Sequence, residues 1–312
     1  MLDHTSLHTA FQSVQENHGC AGVDGVTIGQ FEEDLTGNLV RLRNELAGRT
    51  YRPLPLLKIL VAKKNGEPRG LSIPTVRDRV AQTAVLQRIG PLFEKEFEAC
   101  SYGYRKGRSV RQAVFKIKEY YEQGYRWVVD ADIDAFFDNV DHALMMEKCG
   151  QVVTDPEMLG LIEMWLKAEV WDGESVSVLT KGLPQGSPLS PVLANLFLDE
   201  LDETMLAKGH RYVRYADDYL ALGKTAQEAE AALELSEDIL AKLDLKLDEK
   251  EVVSFEQGFT YLGVTFMNSL IVTPFDRPKR ERRVLFYPPP LDLEVYWKSK
   301  GTGDRLQGAA KI

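Results

Sequence analysis

The chain has 312 residues, 44% hydrophobic and 27% charged, with a formal net charge of −9. That length allows a sizeable core in one large domain or two to three smaller ones, and the composition is that of a globular protein, not a disordered or fibrous one. No apolar run reaches the ~18 residues of a membrane helix, and no charged-then-apolar leader opens the chain. Three widely spaced cysteines, Cys20, Cys100 and Cys149, are expected as reduced core thiols of a cytoplasmic protein, not as a disulfide frame or a zinc site. Net acidity counts against nucleic-acid binding. The bases nevertheless cluster at Lys63-Lys64, from Arg77 to Arg88, at Arg105-Lys106-Arg108 and from Arg277 to Arg283, so a local positive groove is compatible with an acidic whole.

In chain order, residues 1–50 read as helical with a glycine-rich break at Gly22-Val23-Asp24-Gly25. The second helix of this part runs from Phe31 to Leu46, with Leu35, Leu39, Leu42 and Leu46 on one face. Leu57 to Ala62 and Arg69 to Ile73 read as a hairpin around Asn65-Gly66. Thr75 to Phe97 is predicted helical. So is the segment carrying Val110, Val114, Ile117 and Tyr121, with Gly124 as its stop. Trp127 to Ile133 is an apolar strand interrupted by acids. Helices follow over Asp141 to Cys149 and Met158 to Val170. Lys181 to Ser190 is a Gly/Pro/Ser loop leading into a helix that ends near Lys208. Arg211 to Leu222 folds back on itself at Asp217. Thr225 and Glu228 form a capping box for a helix to Leu243. Leu245 to Leu247 and Phe259 to Phe266 are the last strands. Strand, helices, strand, strand, helix, strand over 126–250 is the order of a split βαβ, ferredoxin-like antiparallel sheet with helices on one face.

Tyr215-Ala216-Asp217-Asp218 carries most of the chemistry. An Asp pair by itself is usually a solvated turn, but here it interrupts the apolar run Tyr212 to Leu222. Adjacent carboxylates repel, and a cation relieves the repulsion. Hard oxygen ligands suit Mg²⁺, which completes its shell with water and substrate phosphates. Asp130, Asp132 and Asp134 alternate onto one face of the other acidic strand, so spacing leaves open which of them is the partner. Three carboxylates from two strands can hold two ions on either side of a phosphoryl displacement.

Tyr215-Ala216-Asp217-Asp218, Leu183-Pro184-Gln185-Gly186-Ser187-Pro188-Leu189-Ser190-Pro191 and Asp132-Ile133-Asp134-Ala135-Phe136-Phe137-Asp138-Asn139-Val140-Asp141-His142 together resemble the bacterial reverse transcriptases of the group II intron lineage, from about Gly22 to Phe266. Gly124 to Asp132, Phe255 to Gly263 and Tyr287-Pro288-Pro289-Pro290-Leu291 are most similar to CRISPR-associated reverse transcriptases. The resemblance implies an α+β right-hand polymerase. Fingers and an N-terminal extension would occupy 1–125, the palm 126–274, and a Pro/basic tail or reduced thumb 275–312. The catalytic acids would be Asp132, Asp217 and Asp218, with the Ile133 carbonyl as a further ligand of two Mg²⁺ ions that Mn²⁺ can replace. Lys63, Arg69, Phe137, Gln185 and Lys250 would bind the dNTP, with Phe137 excluding a ribose 2′-hydroxyl. Gly186, Arg105, Arg108, Tyr215, Leu262 and Gly263 would touch template or primer. The partners implied are an RNA template, a DNA or RNA primer, dNTPs and a CRISPR integrase complex, with no membrane. The alternatives are an intron-encoded or other retroelement enzyme and a catalytically idle nucleic-acid scaffold. Pro68-Arg69-Gly70 departs from the Arg-Pro-Leu-Gly order commoner in the family.

Overall fold

The computed structural model describes residues 2–63, 66–272 and 283–300, apart from the Glu249 side chain. In chain order its elements are α1 (His4–Glu16), α2 (Ile28–Glu33), α3 (Leu35–Ala47), β1 (Leu56–Ala62), β2 (Pro68–Ile73), α4 (Val76–Glu96), α5 (Val110–Glu122), β3 (Trp127–Ile133), α6 (Phe136–Asn139), α7 (His142–Val152), α8 (Pro156–Leu166), β4 (Glu169–Trp171), β5 (Val176–Val178), α9 (Ser190–Phe197), α10 (Asp199–Ala207), β6 (Arg211–Tyr215), β7 (Asp218–Gly223), α11 (Ala226–Lys242), β8 (Leu247–Ser254), β9 (Phe259–Tyr261), β10 (Val264–Met267), β11 (Leu270–Val272), β12 (Val284–Phe286) and α12 (Leu293–Ser299).

The sheet that carries the acids has the order β6-β7-β3-β8, every neighbouring pair antiparallel. β7 and most of β3 read as near-continuous apolar runs because both faces of the sheet are covered. Val129, Ala131 and Ile133 of β3, with Tyr212, Tyr219 and Ala221, pack against Ala229, Ala232 and Ile239 of α11. Val128, Val213, Leu220, Leu222 and Val253 point the other way, onto Ala113, Val114 and Ile117 of α5 and Phe259 and Phe266 of the β9–β10 hairpin. The split βαβ order is therefore as expected, and the added cover on the second face comes from an amphipathic helix that precedes the motif. Each fully buried Val or Leu here contributes about 1.5–3 kcal/mol.

The second sheet joins distant parts of the chain. β1 and β2 form the hairpin, with register Leu57↔Ile73 to Ala62↔Pro68; Lys64 and Asn65 of its turn lie outside the described residues. β4 pairs parallel with the start of β1 at Leu56↔Val170. β12 pairs antiparallel near its end at Leu60↔Phe286. Residues 283–300 then run back to the N-terminal loop, where Leu291 N–H donates to the Val23 carbonyl at 2.9 Å.

Several local expectations change. The helix expected from Phe31 to Leu46 breaks at Asp34, whose side chain caps α3 by accepting from Gly37 N–H, while Thr27 and Gln30 form a full capping box on α2. Helix α8 stops at Leu166 and strand β4 begins at Glu169. The helix expected to reach Lys208 divides at Leu198 into α9 and α10. Glu228 bonds the Lys224 N–H at 2.7 Å and not that of Thr225, so only half of the expected box forms on α11. Cys100 and Cys149 are buried free thiols as expected, with burial pushing Cys149 up to about 12, but Cys20 is exposed. Of the basic stretch Arg277 to Arg283, only Arg283 is among the described residues.

Candidate active site

Strand register brings the acids together. β3 and β7 pair through Ala131↔Tyr219, so Asp132 and Asp218 stand one residue further along adjoining strands. Ala131 and Tyr219 face α11, so by alternation Asp132 and Asp218 share the opposite face. Tyr215 pairs with Asp218 across β6 and β7 and lies on that face too. Ala216 and Asp217 make the two-residue turn between these strands. Only Ala216 has positive φ, +62°, as at the first position of a type II′ turn, where glycine is normal. Asp132 and Asp218 are exposed and Asp217 is half-buried. Burial raises the Asp217 carboxyl above the ordinary range, while its own backbone N–H, Arg69 and Arg214 pull it down. Of the other acids of the strand, Asp130 pairs with Leu220 inside the sheet, and Asp134 lies past the end of β3, its N–H on the Lys246 carbonyl.

A buried polar network holds the turn. Arg214 is fully buried and paired with Asp202 at 2.5 Å. Its Nη1 donates to Asn195 Oδ1 at 3.0 Å and to the Ala216 carbonyl at 2.8 Å, and Asn195 Nδ2 donates to the Gly103 carbonyl at 2.8 Å. Gly103 sits so close that a Cβ there would lie 2.4 Å from the Ala216 nitrogen. Sequence reading passed over these residues. The usable signal was a charge, Arg214, inside the apolar strand Tyr212 to Tyr215, because a charge in a buried strand requires a buried partner. Gly103→Ala should therefore displace the Ala216–Asp217 turn and lower DNA synthesis by about 100-fold, the scale of a 1 Å misplacement, as measured by primer-extension rate; a rate equal to that of the unmodified chain counts against this coupling.

Beside the acids lies a cavity of about 770 Å³ lined by Lys63, Arg69, Tyr104, Phe137, Gln185 and Gly186 among others. Lys63 and Arg69 are exposed on the β1–β2 hairpin. Arg69 Nε donates to Gln185 Oε1 at 2.7 Å, and Ser72 N–H to the Gln185 carbonyl at 2.9 Å. Gly186, at φ +142°, leaves no room for a side chain: a Cβ would lie 2.6 Å from the Ser72 carbonyl. The close approach its glycine permits is thus to strand β2. Phe137 is buried on α6, and its carbonyl accepts from Leu183 N–H at 2.6 Å, which ties α6 to the Gln185 loop.

Two expected site residues are not brought here. Arg105 is buried, its guanidinium bound to Glu94 at 2.7 Å and to the carbonyls of Phe97, Glu98 and Ser101. It builds the loop and does not face a template. Lys250 pairs in register with Ala131 and bonds Glu237 on α11, so it projects from the face opposite Asp132 and Asp218. Arg108 is half-buried, 5.3 Å over the Tyr102 ring. Leu262 and Gly263, at φ +51° and +73°, form the turn between paired Tyr261 and Val264. The Tyr261 hydroxyl donates to the Asp218 carbonyl at 3.1 Å, which links that hairpin to the acids. Ile133 is buried and pairs with Leu247.

Among the described residues no three His, Cys, Asp or Glu side chains form a ready metal cage. The donor set still fits a hard divalent cation, since Mg²⁺ is commonly held by one or two carboxylates with phosphates and water completing the shell. Among the described residues no helix is long and apolar enough to cross a membrane.

The family match agrees with this geometry. The family model described as reverse transcriptase (RNA-dependent DNA polymerase) matches residues 61–266. Protein YkfC of Escherichia coli (strain K12) is 31% identical over 283 residues, 78% of this chain and 74% of YkfC. The group II intron-encoded protein LtrA of Lactococcus lactis subsp. cremoris is 35% identical over 202 residues, 64% of this chain but only 33% of LtrA. Among solved structures, a chain of a partial Cas6-RT-Cas1–Cas2 complex is 28% identical, with TM-score 0.48, 78% of this chain covered and 41% of that one. With the acids on adjoining antiparallel strands and the family model matching residues 61–266, the chain belongs to the reverse transcriptase (RNA-dependent DNA polymerase) family.

Proposed function

We propose that this RNA-directed DNA polymerase extends a primer 3′-hydroxyl with dNTPs at Asp132, Asp217 and Asp218 by two-ion phosphoryl transfer. The observation that carries the proposal is the β3–β7 register, which sets Asp132 and Asp218 side by side on one sheet face, next to the Asp217 turn. These carboxylates and the Ile133 carbonyl would hold two Mg²⁺, or Mn²⁺ in their place. Bound there, the ions would lower the pKa of the primer hydroxyl and neutralise charge on the triphosphate. Lys63 and Arg69 receive the triphosphate as a point charge and a fork, and Gln185 orients Arg69. Tyr215, Leu262 and Gly263 lie on the primer side; Arg108 and Gly186 lie on the template side. Most of the rate enhancement then comes from positioning and charge stabilisation. The test is extension of poly(rA)/oligo(dT) with dTTP and Mg²⁺ by the purified chain; no product defeats the proposal.

Phe137 lines the same cavity as Lys63, Arg69 and Gln185, which supports reading it as the side chain that meets the sugar of the incoming nucleotide. Phe137→Ala should raise ribonucleotide incorporation relative to deoxynucleotide by about 10-fold or more, the worth of a removed steric contact, in single-nucleotide extension assays. An unchanged ratio rejects the gate.

We further propose service in RNA-derived spacer acquisition beside a CRISPR integrase. Support comes from the sequence resemblance in 124–132, 255–263 and 287–291. Co-purification with a Cas1–Cas2-type integrase, and loss of RNA-derived spacers in an Asp218→Asn strain, are the expected results. The alternative is an intron-encoded enzyme, favoured by the 35% identity to LtrA; dependence of intron mobility on this chain would select it.

A further inference from the structure

Tyr104 has no role in the description so far, yet it is the most unusual residue around the cavity. It is a large aromatic left 54% exposed, and its φ is +57°, a conformation that bulky residues rarely adopt. Its backbone has little freedom to relax. The preceding Gly103 is pressed against the Ala216 backbone and bonded through its carbonyl to Asn195. Tyr102 N–H donates to the Arg214 carbonyl at 2.8 Å, and Arg105 is anchored in the protein. The chain is thus fastened on both sides of one strained residue, and the side chain so presented lines the cavity of Lys63, Arg69, Phe137 and Gln185. Its phenol is also within electrostatic reach of Asp217, Arg69 and Asp218; desolvation first, then Asp217, raise its pKa, so the ring stays neutral. Strain kept at an exposed position, with no packing to gain from it, marks a position held for contact with a ligand.

We propose that Tyr104 is a nucleotide-contacting residue whose ring packs on the incoming dNTP between the Arg69 cation and the palm acids. The proposal rests on the polymerase reading above and adds a residue to its substrate pocket. Because the contact is made by the ring, it tolerates loss of the hydroxyl. Because φ is positive, glycine at this position relieves strain.

The experiment measures dTTP affinity without turnover, on the full chain bound to poly(rA) and a dideoxy-terminated oligo(dT) primer, alongside KM in the extension assay and thermal melting. Tyr104→Gly should weaken dTTP binding about fivefold or more, the loss of one aromatic stacking contact. Its melting temperature should be equal or higher, and its affinity for primer–template unchanged. Tyr104→Phe should bind dTTP like the unmodified chain. Unchanged dTTP affinity in Tyr104→Gly overturns the proposal, as does a loss confined to primer–template binding, or equal loss in Tyr104→Phe. A parallel fall in melting temperature assigns Tyr104 a structural role and also overturns it. If the unmodified chain binds dTTP but fails to extend an ordinary primer, the polymerase reading fails while the Tyr104 contact is still decided by the binding data.

Discussion

Asp132→Asn, Asp217→Asn and Asp218→Asn should each lower DNA synthesis on an RNA template by at least about a thousandfold, with the fold intact. The size follows from the proposed role of the carboxylates: each removal would take a full charge from the place where phosphoryl charge develops, and single electrostatic groups at such places are worth about 100- to 1,000-fold even when neutral. Stability should move the other way for Asp217. Burial raises its carboxyl pKa in the folded state, so the ionised form is disfavoured by folding. That penalty is present above the folded pKa and disappears as the pH falls below the unfolded value. Asp217→Asn should therefore melt at an equal or higher temperature at pH 8, and the difference should shrink toward pH 3. Extension rates on poly(rA)/oligo(dT), read beside melting curves at both pH values, check the two halves together. Asn variants that retain a tenth of the activity would remove these side chains from the catalytic centre.

Arg214→Met should destabilise the protein by about 3–5 kcal/mol, because it leaves Asp202 buried without its partner. Asp202 is fully buried; desolvation raises its pKa and Arg214 opposes that rise. Without Arg214 the carboxyl must take a proton or draw in water. Arg214→Met with Asp202→Leu should recover most of the lost stability, since paired apolar replacements of a buried ion pair are often neutral or better. Activity should not return with it. The Ala216 carbonyl and Asn195 would still lack the Arg214 donor, so the turn carrying Asp217 would stay loosely placed. Urea midpoints report the first effect and primer extension the second. Full activity in the double variant would mean that the network serves stability alone.

The parts legible in the sequence were those with local cause. Apolar runs broken by acids located β3 and the β6–β7 turn, and helical spacing located α4, α5 and α11. Asp217 and Asp218 stood out because charge in a strand is expensive, while Asp132 is told from Asp130 and Asp134 by the family resemblance. Other parts depend on partners far along the chain. Leu247-Asp248-Glu249-Lys250-Glu251 is too charged to extend the strand expected at Leu245 to Leu247, yet it is the first half of β8, paired to β3 at Ile133↔Leu247, Ala131↔Lys250 and Asp130↔Glu251 across a shift of register; strand preference of this kind is set by neighbours more than by composition. β4 and β5 are three residues each, too short to show a period. Arg105 reads as a basic site residue by type, and only tertiary structure shows its guanidinium spent on Glu94 and carbonyls. Lys250 reads correctly by motif but lies on the wrong side of its strand, a distinction of one residue in register.

The seams along β1 limit how the hairpin arm can move. Its first residues are laddered to β4, which enters from the middle of the chain, and its last to β12. Rotating the arm as a lobe would tear both sets of backbone hydrogen bonds at once. On the proposed reading of Lys63 and Arg69 as triphosphate ligands, their closure would instead come from twisting of the two-stranded ribbon and from the reach of the long side chains themselves, so the rate of nucleotide capture should be insensitive to changes that stiffen hinges elsewhere in the molecule.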